Sequence, residues 1–244
     1  MRDYKSETEK RVQWLREKMK SAHSDGFVYG NSGGKDCTLV GILCKMACDK
    51  TIGVIMPCQS KQNYTTDTDD ALAVSRQYGI ETRMVDISAA KEALTTALSG
   101  KTNPAYTGAT AFANINPRLR MTTLYTIAQT ENCLVVGTGN RSELSLGYYT
   151  KWGDGGYDIN PIGDLTVREV YEFLAYLDAP TSIRTKKPSA GLWEGQTDEQ
   201  ELGITYDEVD TYLLEGKGTE KTKTRVDNSI LNTAHKRVLT IYPD

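Results

Sequence analysis

Phe27 to Cys37, FVYGNSGGKDC, joins three apolar residues to a run of glycine and small polar residues, and LVGILCKMA follows with helical apolar spacing. A buried strand end, a glycine turn and a helix start, in that order, make a phosphate-sized cradle. Backbone N–H groups approach an anion closely where no side chain intervenes, and a helix N-terminus adds positive potential. Two common anion loops are excluded. A Walker A loop needs glycine five residues before the glycine of its GK pair and Ser or Thr after the lysine, and here those places hold Tyr29 and Asp36. The dinucleotide fingerprint G-x-G-x-x-G fails because Ser32 and Lys35 stand where its second and third glycines belong. From these residues two readings stay open: an anion cradle, or a plain glycine turn with Asp36 capping the helix.

The rest of the chain fits one large α/β domain over residues 1–244. With 39% hydrophobic and 25% charged residues it has an ordinary globular composition, and a net charge of −3 gives no electrostatic footprint for nucleic acid or an anionic membrane. No apolar run reaches membrane-spanning length and MRDYKSETEKR is too polar for a signal peptide, so a cytoplasmic protein is expected. Five cysteines without a C-x-x-C pair argue for reduced thiols, and two histidines argue against a histidine metal centre.

Val12, Leu15 and Met19 predict an amphipathic opening helix. After the glycine loop come a helix over 38–48, the strand TIGVIMP, a helix carrying Ala71, Val74 and Tyr78 closed by Gly79, the strand ETRMVDI, and the helix SAAKEALTTAL closed by Gly100. Strands alternating with helices predict right-handed crossovers and a doubly wound, mostly parallel sheet with helices on both faces, with ligands beyond the carboxyl ends of its strands. Residues 101–116 read as a mobile loop, Pro117 as the start of the helix PRLRMTTLYTIAQT, and CLVVGTG as a further strand. Arg118 and Arg120 fall where their charge opposes the helix dipole; either an anion compensates or both are solvated.

The segment VGTGNRSELSLGYYTKWGDGGYDINPIGDL is dense in acid and glycine beyond a strand end, with Ser142 as the expected cap of a short helix. Its string closely resembles the ammonia-dependent NAD synthetases, whose pattern runs G-T-x-N-x-S-E and then Y-x-T-K-x-G-D-G-x-x-D-I-x-P. The upstream S-G-G-K-D-C likewise resembles the S-G-G-x-D-S pyrophosphate loop of ATP pyrophosphatases, which cleave ATP to AMP and pyrophosphate. Downstream, K-x-P-S-A-G-L-W-E-G-Q-T-D-E at 186–199, E-L-G-I-T-Y-D-E-V-D behind it and H-K-R at 235–237 extend the likeness from about residue 10 to the C-terminus.

The resemblance implies a C–N bond-forming ligase that amidates deamido-NAD with ammonia and ATP, giving NAD, AMP and pyrophosphate through an acyl-adenylate. It implies that Gly30, Asn31, Ser32, Gly33, Gly34, Lys35, Asp36 and Cys37 hold ATP, with Thr138 and Ser189 adding hydroxyl contacts. Asp36 and Glu143 would carry the catalytic Mg²⁺, while Arg118, Lys151, Asp158, His235 and Lys236, with Asp154 close by, would bind deamido-NAD. It further implies a homodimer with the dinucleotide at the subunit interface, no glutaminase domain, and loops at 101–116 and 186–200 that close over the adenylate. No nucleophilic side chain is needed, because such steps rest on alignment and charge neutralisation.

Three positions depart from the family pattern: Cys37 replaces Ser, Asn116-Pro117 replaces Q-A before Arg118, and Val167 replaces a phosphate-contacting Lys. Cys37, at a helix N-terminus, is expected to be a reactive thiol that ATP protects. Val167→Lys is expected to lower the ATP KM, with Lys186 or Lys187 covering for the missing cation. Another ATP pyrophosphatase, such as a tRNA-thiolating or GMP-synthesising enzyme, and a nucleotide-binding paralogue of reduced activity are the alternatives. The first lacks T-K-W-G-D-G-G with P-S-A-G-L-W, and the second has no need of both Asp36 and Glu143.

Overall fold

The computed structural model describes residues 2–58, 66–103, 109–186 and 198–239. Helix α1 (Tyr4–Ser21) leads to strand β1 (Gly26–Gly30), helix α2 (Lys35–Ala47) and strand β2 (Thr51–Ile55). Helix α3 (Thr66–Tyr78), strand β3 (Glu81–Met84) and helix α4 (Ser88–Ala97) complete one half of the sheet. Helices α5 (Ala109–Ala113) and α6 (Ile115–Glu131) lead to strand β4 (Cys133–Val136). Helices α7 (Arg141–Leu146), α8 (Val167–Tyr176), α9 (Thr181–Thr185), α10 (Asp198–Leu202), α11 (Tyr206–Glu215) and α12 (Glu220–Asn232) follow, then a 3₁₀ turn, Ala234–Lys236.

The strands lie in the order β3-β2-β1-β4, and every pair is parallel. Alternation along β1 explains why both faces are covered. Phe27 and Tyr29 join the α2 side with Leu39, Leu43 and Phe173, while Val28 joins Ile52, Val54 and Val135 on the α6 side. Full burial of each such side chain contributes roughly 1.5–3 kcal/mol. Gly41 admits the Tyr29 ring: a Cβ there would stand 2.3 Å from the tyrosine oxygen. A smaller cluster of Leu146, Ile204, Val209 and Val226 packs α11 and α12 onto α7.

Winding reverses between β1 and β4, so the loops after these two strands diverge and leave a crevice at the carboxyl edge. The expected doubly wound architecture is observed, with local corrections. Helix α2 begins at Lys35 rather than at residue 38, because extended Gly34 (φ −92°, ψ 171°) ends the turn and leaves Asp36 inside the first helical turn. Asp36 is therefore no cap. Pro117 is the third residue of α6, where its missing N–H belongs to the unpaired first turn anyway. Much of 101–116 is helical rather than loop, through α5 and the start of α6; 104–108 lie outside the described residues. Helix α1 covers its own chain: Trp14 packs against the α2-side core, and Arg2 and Arg11 pair with Glu169 and Asp164.

Candidate active site

The crevice is a cavity of about 650 Å³. Along one flank runs the glycine loop. Gly33 takes φ +71° and lies so close to α3 that a Cβ would meet the Asp67 carbonyl oxygen at 2.2 Å, so glycine is required here. Buried Asn31 braces the loop from within. Its amide donates to Ala71 O and Ser75 Oγ, and its Oδ1 accepts from the Gly33 N–H. Cys37 Sγ donates to Gly34 O at 3.2 Å and is 3% exposed; burial pushes the thiol up, against weaker pulls from Ser32 and Gly34. The expectation of a reactive Cys37 is thereby overturned, because desolvation of the thiolate outweighs the helix N-terminus. Alkylation followed by mass spectrometry should label half-buried Cys48 and Cys133 ahead of buried Cys37, Cys44 and Cys58. Modification of Cys37 first would contradict this burial.

Opposite the loop, Gly137 to Asn140 leave β4 and open α7. Asn140, not Ser142, caps α7: it accepts the Glu143 N–H, and Glu143 accepts the Asn140 N–H in return. Ser142 is instead buried, donating to Asp210 and accepting from the Val167 N–H. The Asn140 side chain also donates to Asp36 Oδ1 at 3.0 Å, tying the two loops across the crevice. Between the two acids stands Lys35, whose Nζ is 2.7 Å from Asp36 and 3.8 Å from Glu143. Burial and the Asp36 carboxylate push Glu143 up to about 8, against the pull of Lys35. Glu143 is thereby held largely protonated beside the Asp36–Lys35 pair, and a dication between the acids would let both be carboxylates in this low-dielectric place. Among the described residues no group of three or more His, Cys, Asp or Glu could hold a metal unaided. A pair of carboxylates suits Mg²⁺, which usually takes one or two carboxylates and completes its shell with water and substrate phosphates.

Lys186 reaches the loop from the far side. Its Nζ is 2.8 Å from both Asp67 and Asp70 and 3.4 Å from Gly33 O. Val167 does not reach it: this residue is 4% exposed, starts α8 behind a Thr166–Glu169 capping box, and is not part of the cavity wall. Arg168 turns away to Asp207 and Thr211. A lysine at 167 would bury an ammonium, so Val167→Lys is expected to lower Tm rather than the ATP KM. Lys186→Ala is expected to raise the ATP KM roughly tenfold or more, the worth of one charge-assisted contact. Steady-state kinetics and melting curves check both, and an ATP KM unmoved by Lys186→Ala would remove Lys186 from the phosphate site.

Gly30, Asn31, Ser32, Gly34, Lys35, Asp36, Cys37, Thr138, Glu143, Asp154 and Lys236 line the cavity as the sequence led us to expect; Gly33 shapes it from behind. Ser189 lies outside the described residues. Four other expected residues are not in the cavity wall. Exposed Arg118 lies beside Lys151, donating to its carbonyl, and the Lys151 ammonium donates to the carbonyls of His235 and Val238. His235 is exposed on this same rim, while Asp158 accepts from the Val135 N–H and Tyr125 Oη. Lys236 donates to Gly147 O and Tyr149 O. Sequence reasoning missed Asn140, Asp67 and Tyr171 as site residues and left Arg120 open between an anion partner and a solvated side chain, since the local sequence does not show which way they face.

A parallel sheet with a glycine phosphate loop and a carboxylate pair at its switch point defines a nucleotide-binding site of the ATP pyrophosphatase type. Residues 7–242 match the NAD synthase family model, and the chain belongs to that family. An NH(3)-dependent NAD(+) synthetase from Carboxydothermus hydrogenoformans is 47% identical over 236 residues, covering 96% of each chain. The NMN synthetase of Francisella tularensis superposes with a TM-score of 0.93 at 36% identity, covering 100% of both chains. The NH3-dependent NAD synthetase of Campylobacter jejuni gives 0.81 at 29% identity, again over 100% of both.

Proposed function

We propose that the chain is an ammonia-dependent ligase that converts the nicotinate carboxylate of deamido-NAD into the amide of NAD, consuming ATP and releasing AMP and pyrophosphate. The observation that carries this reading is the meeting of the phosphate loop with Asp36 and Glu143 across one crevice, in a chain of the NAD synthase family. A carboxylate does not exchange oxide for ammonia unaided. Its oxygen first attacks the α-phosphorus of ATP, pyrophosphate leaves, and ammonia then displaces AMP from the acyl-adenylate.

The loop N–H groups and Lys186 receive the phosphates and hold them in line, which is most of what phosphoryl and adenylyl transfer asks of a protein. Asp36 and Glu143 would hold Mg²⁺, which supplies charge neutralisation on the phosphate oxygens. Thr138, at the end of β4, offers its hydroxyl to the nucleotide. The reading includes a cytoplasmic homodimer, in which the rim bearing Arg118, Lys151 and His235 meets dinucleotide that extends beyond the cavity. Among the described residues no helix is long and apolar enough to cross a membrane.

The Francisella neighbour supports a second substrate, nicotinate mononucleotide, which carries the same carboxylate without the adenylate half. Purified protein with ATP, Mg²⁺ and ammonium should turn over deamido-NAD with a kcat/KM at least as high as for the mononucleotide. The reverse order would favour the second substrate, and no amide from either would overturn the proposal.

A further inference from the structure

Four basic side chains line the cavity among the described residues, and three of them are matched by protein groups. Lys35 faces Asp36 and Glu143, Lys186 faces Asp67 and Asp70, and Lys236 donates to two carbonyls. Arg120 is the exception. Its Nε donates to Met56 O at 3.3 Å, and among the described residues its two terminal amino groups have no acceptor and it forms no ion pair. Burial pulls its pKa down, only partly offset by Cys58, Asp154 and Asp67, so this guanidinium holds its charge in a place that penalises it.

Helix geometry aims it. Pro117, Arg120, Met121 and Leu124 all line the cavity, an i, i+3, i+4, i+7 face of α6, whereas Arg118 lies about 200° around the axis from Arg120 and is exposed. The α6 face covers the side of the sheet opposite α2, where the phosphate loop begins. Met56 and Leu124 flank Gly30 there, and Asp154 lines the same chamber. Arg120 therefore stands across the strand ends from the loop that receives the ATP phosphates.

Resting on the function proposed above, we propose that Arg120 is the specificity residue that grips the carboxylate of the pyridine substrate, so that the site favours the acid over its own amide product. A guanidinium presents parallel N–H donors that match both oxygens of a carboxylate. An amide offers one acceptor oxygen and turns an NH₂ donor towards the other N–H, so conversion of acid to amide breaks the grip and releases product.

The test is calorimetric binding of deamido-NAD and of NAD to the full chain without ATP, with nicotinate mononucleotide and its amide as a second pair. Wild type should bind each acid tighter than its amide by roughly ten- to a hundredfold. Arg120→Gln should bring the ratio to within about twofold through weaker acid binding, Arg120→Lys should restore part of it, and the ATP KM should move less than about threefold. Equal binding of acid and amide by wild type overturns the proposal, whether or not a variant folds. An unchanged ratio in a folded Arg120→Gln, or a loss confined to the ATP KM, overturns it too. Failure of the underlying reading is seen separately, as a wild type that makes no amide at all.

Discussion

Asp36→Asn and Glu143→Gln are each expected to lower kcat/KM by about a hundred- to a thousandfold, because each removes one anionic arm from the cation site. A bound Mg²⁺ contributes several kcal/mol of charge stabilisation to such a transition state, at 1.36 kcal/mol per factor of ten. Gln at 143 keeps an oxygen to accept the Asn140 N–H, so the α7 cap survives and the loss reports charge. Asn at 36 leaves Lys35 with Glu143 as its sole carboxylate partner among the described residues, so that variant should melt lower as well. If both acids hold one cation, the double variant should cost little more than the worse single one, since groups acting as a unit are far from additive. Near-wild-type turnover in either variant, with only Tm reduced, would make the pair structural.

Gly33→Ala is expected to cost the ATP site its shape. A residue with a Cβ at φ +71° costs about 1–2 kcal/mol, and this Cβ would also meet backbone, 2.2 Å from Asp67 O and 3.1 Å from Ala71 N. Backbone at the start of α3 cannot rotate aside as a flexible side chain can. The loop must lift or α3 must shift, so ATP KM should rise tenfold or more, with a Tm drop of several degrees, at about 2–4 °C per kcal/mol for a chain of this size. Deamido-NAD binding in the absence of ATP should change much less. Unaltered ATP dependence and Tm would show that the loop does not rest on α3 as described.

What the sequence made legible is what local pattern controls. The apolar run from Phe27, the turn glycines and the helical spacing after Cys37 fix β1, the loop and α2, and the same periodicity recovers every strand. Asp36 and Glu143 were legible only through the likeness of their motifs to the ATP pyrophosphatases and NAD synthetases; the parallel topology explains why the segments after β1 and β4 meet at one edge. Orientation was not legible. Arg118 and Arg120 look alike in a helix start, and only packing of α6 on β1 and β4 decides which one faces the cavity. Val167 looks like a lost phosphate contact until the Thr166–Glu169 box and the α8 core take it inside. Cys37 was misjudged because helix-dipole arguments are local while desolvation depends on everything packed around the sulfur. Lys186 needed α3: without the acidic start of that helix, no neighbour shows where its ammonium rests.

The most direct measurement uses deamido-NAD labelled with ¹⁸O in the nicotinate carboxylate, incubated with the purified protein, ATP, Mg²⁺ and ammonium. The account predicts NAD together with AMP carrying one labelled oxygen and pyrophosphate carrying none, because the attacking oxygen stays on the α-phosphorus when ammonia displaces AMP. Absence of NAD, or label appearing in inorganic phosphate alongside ADP, would contradict it.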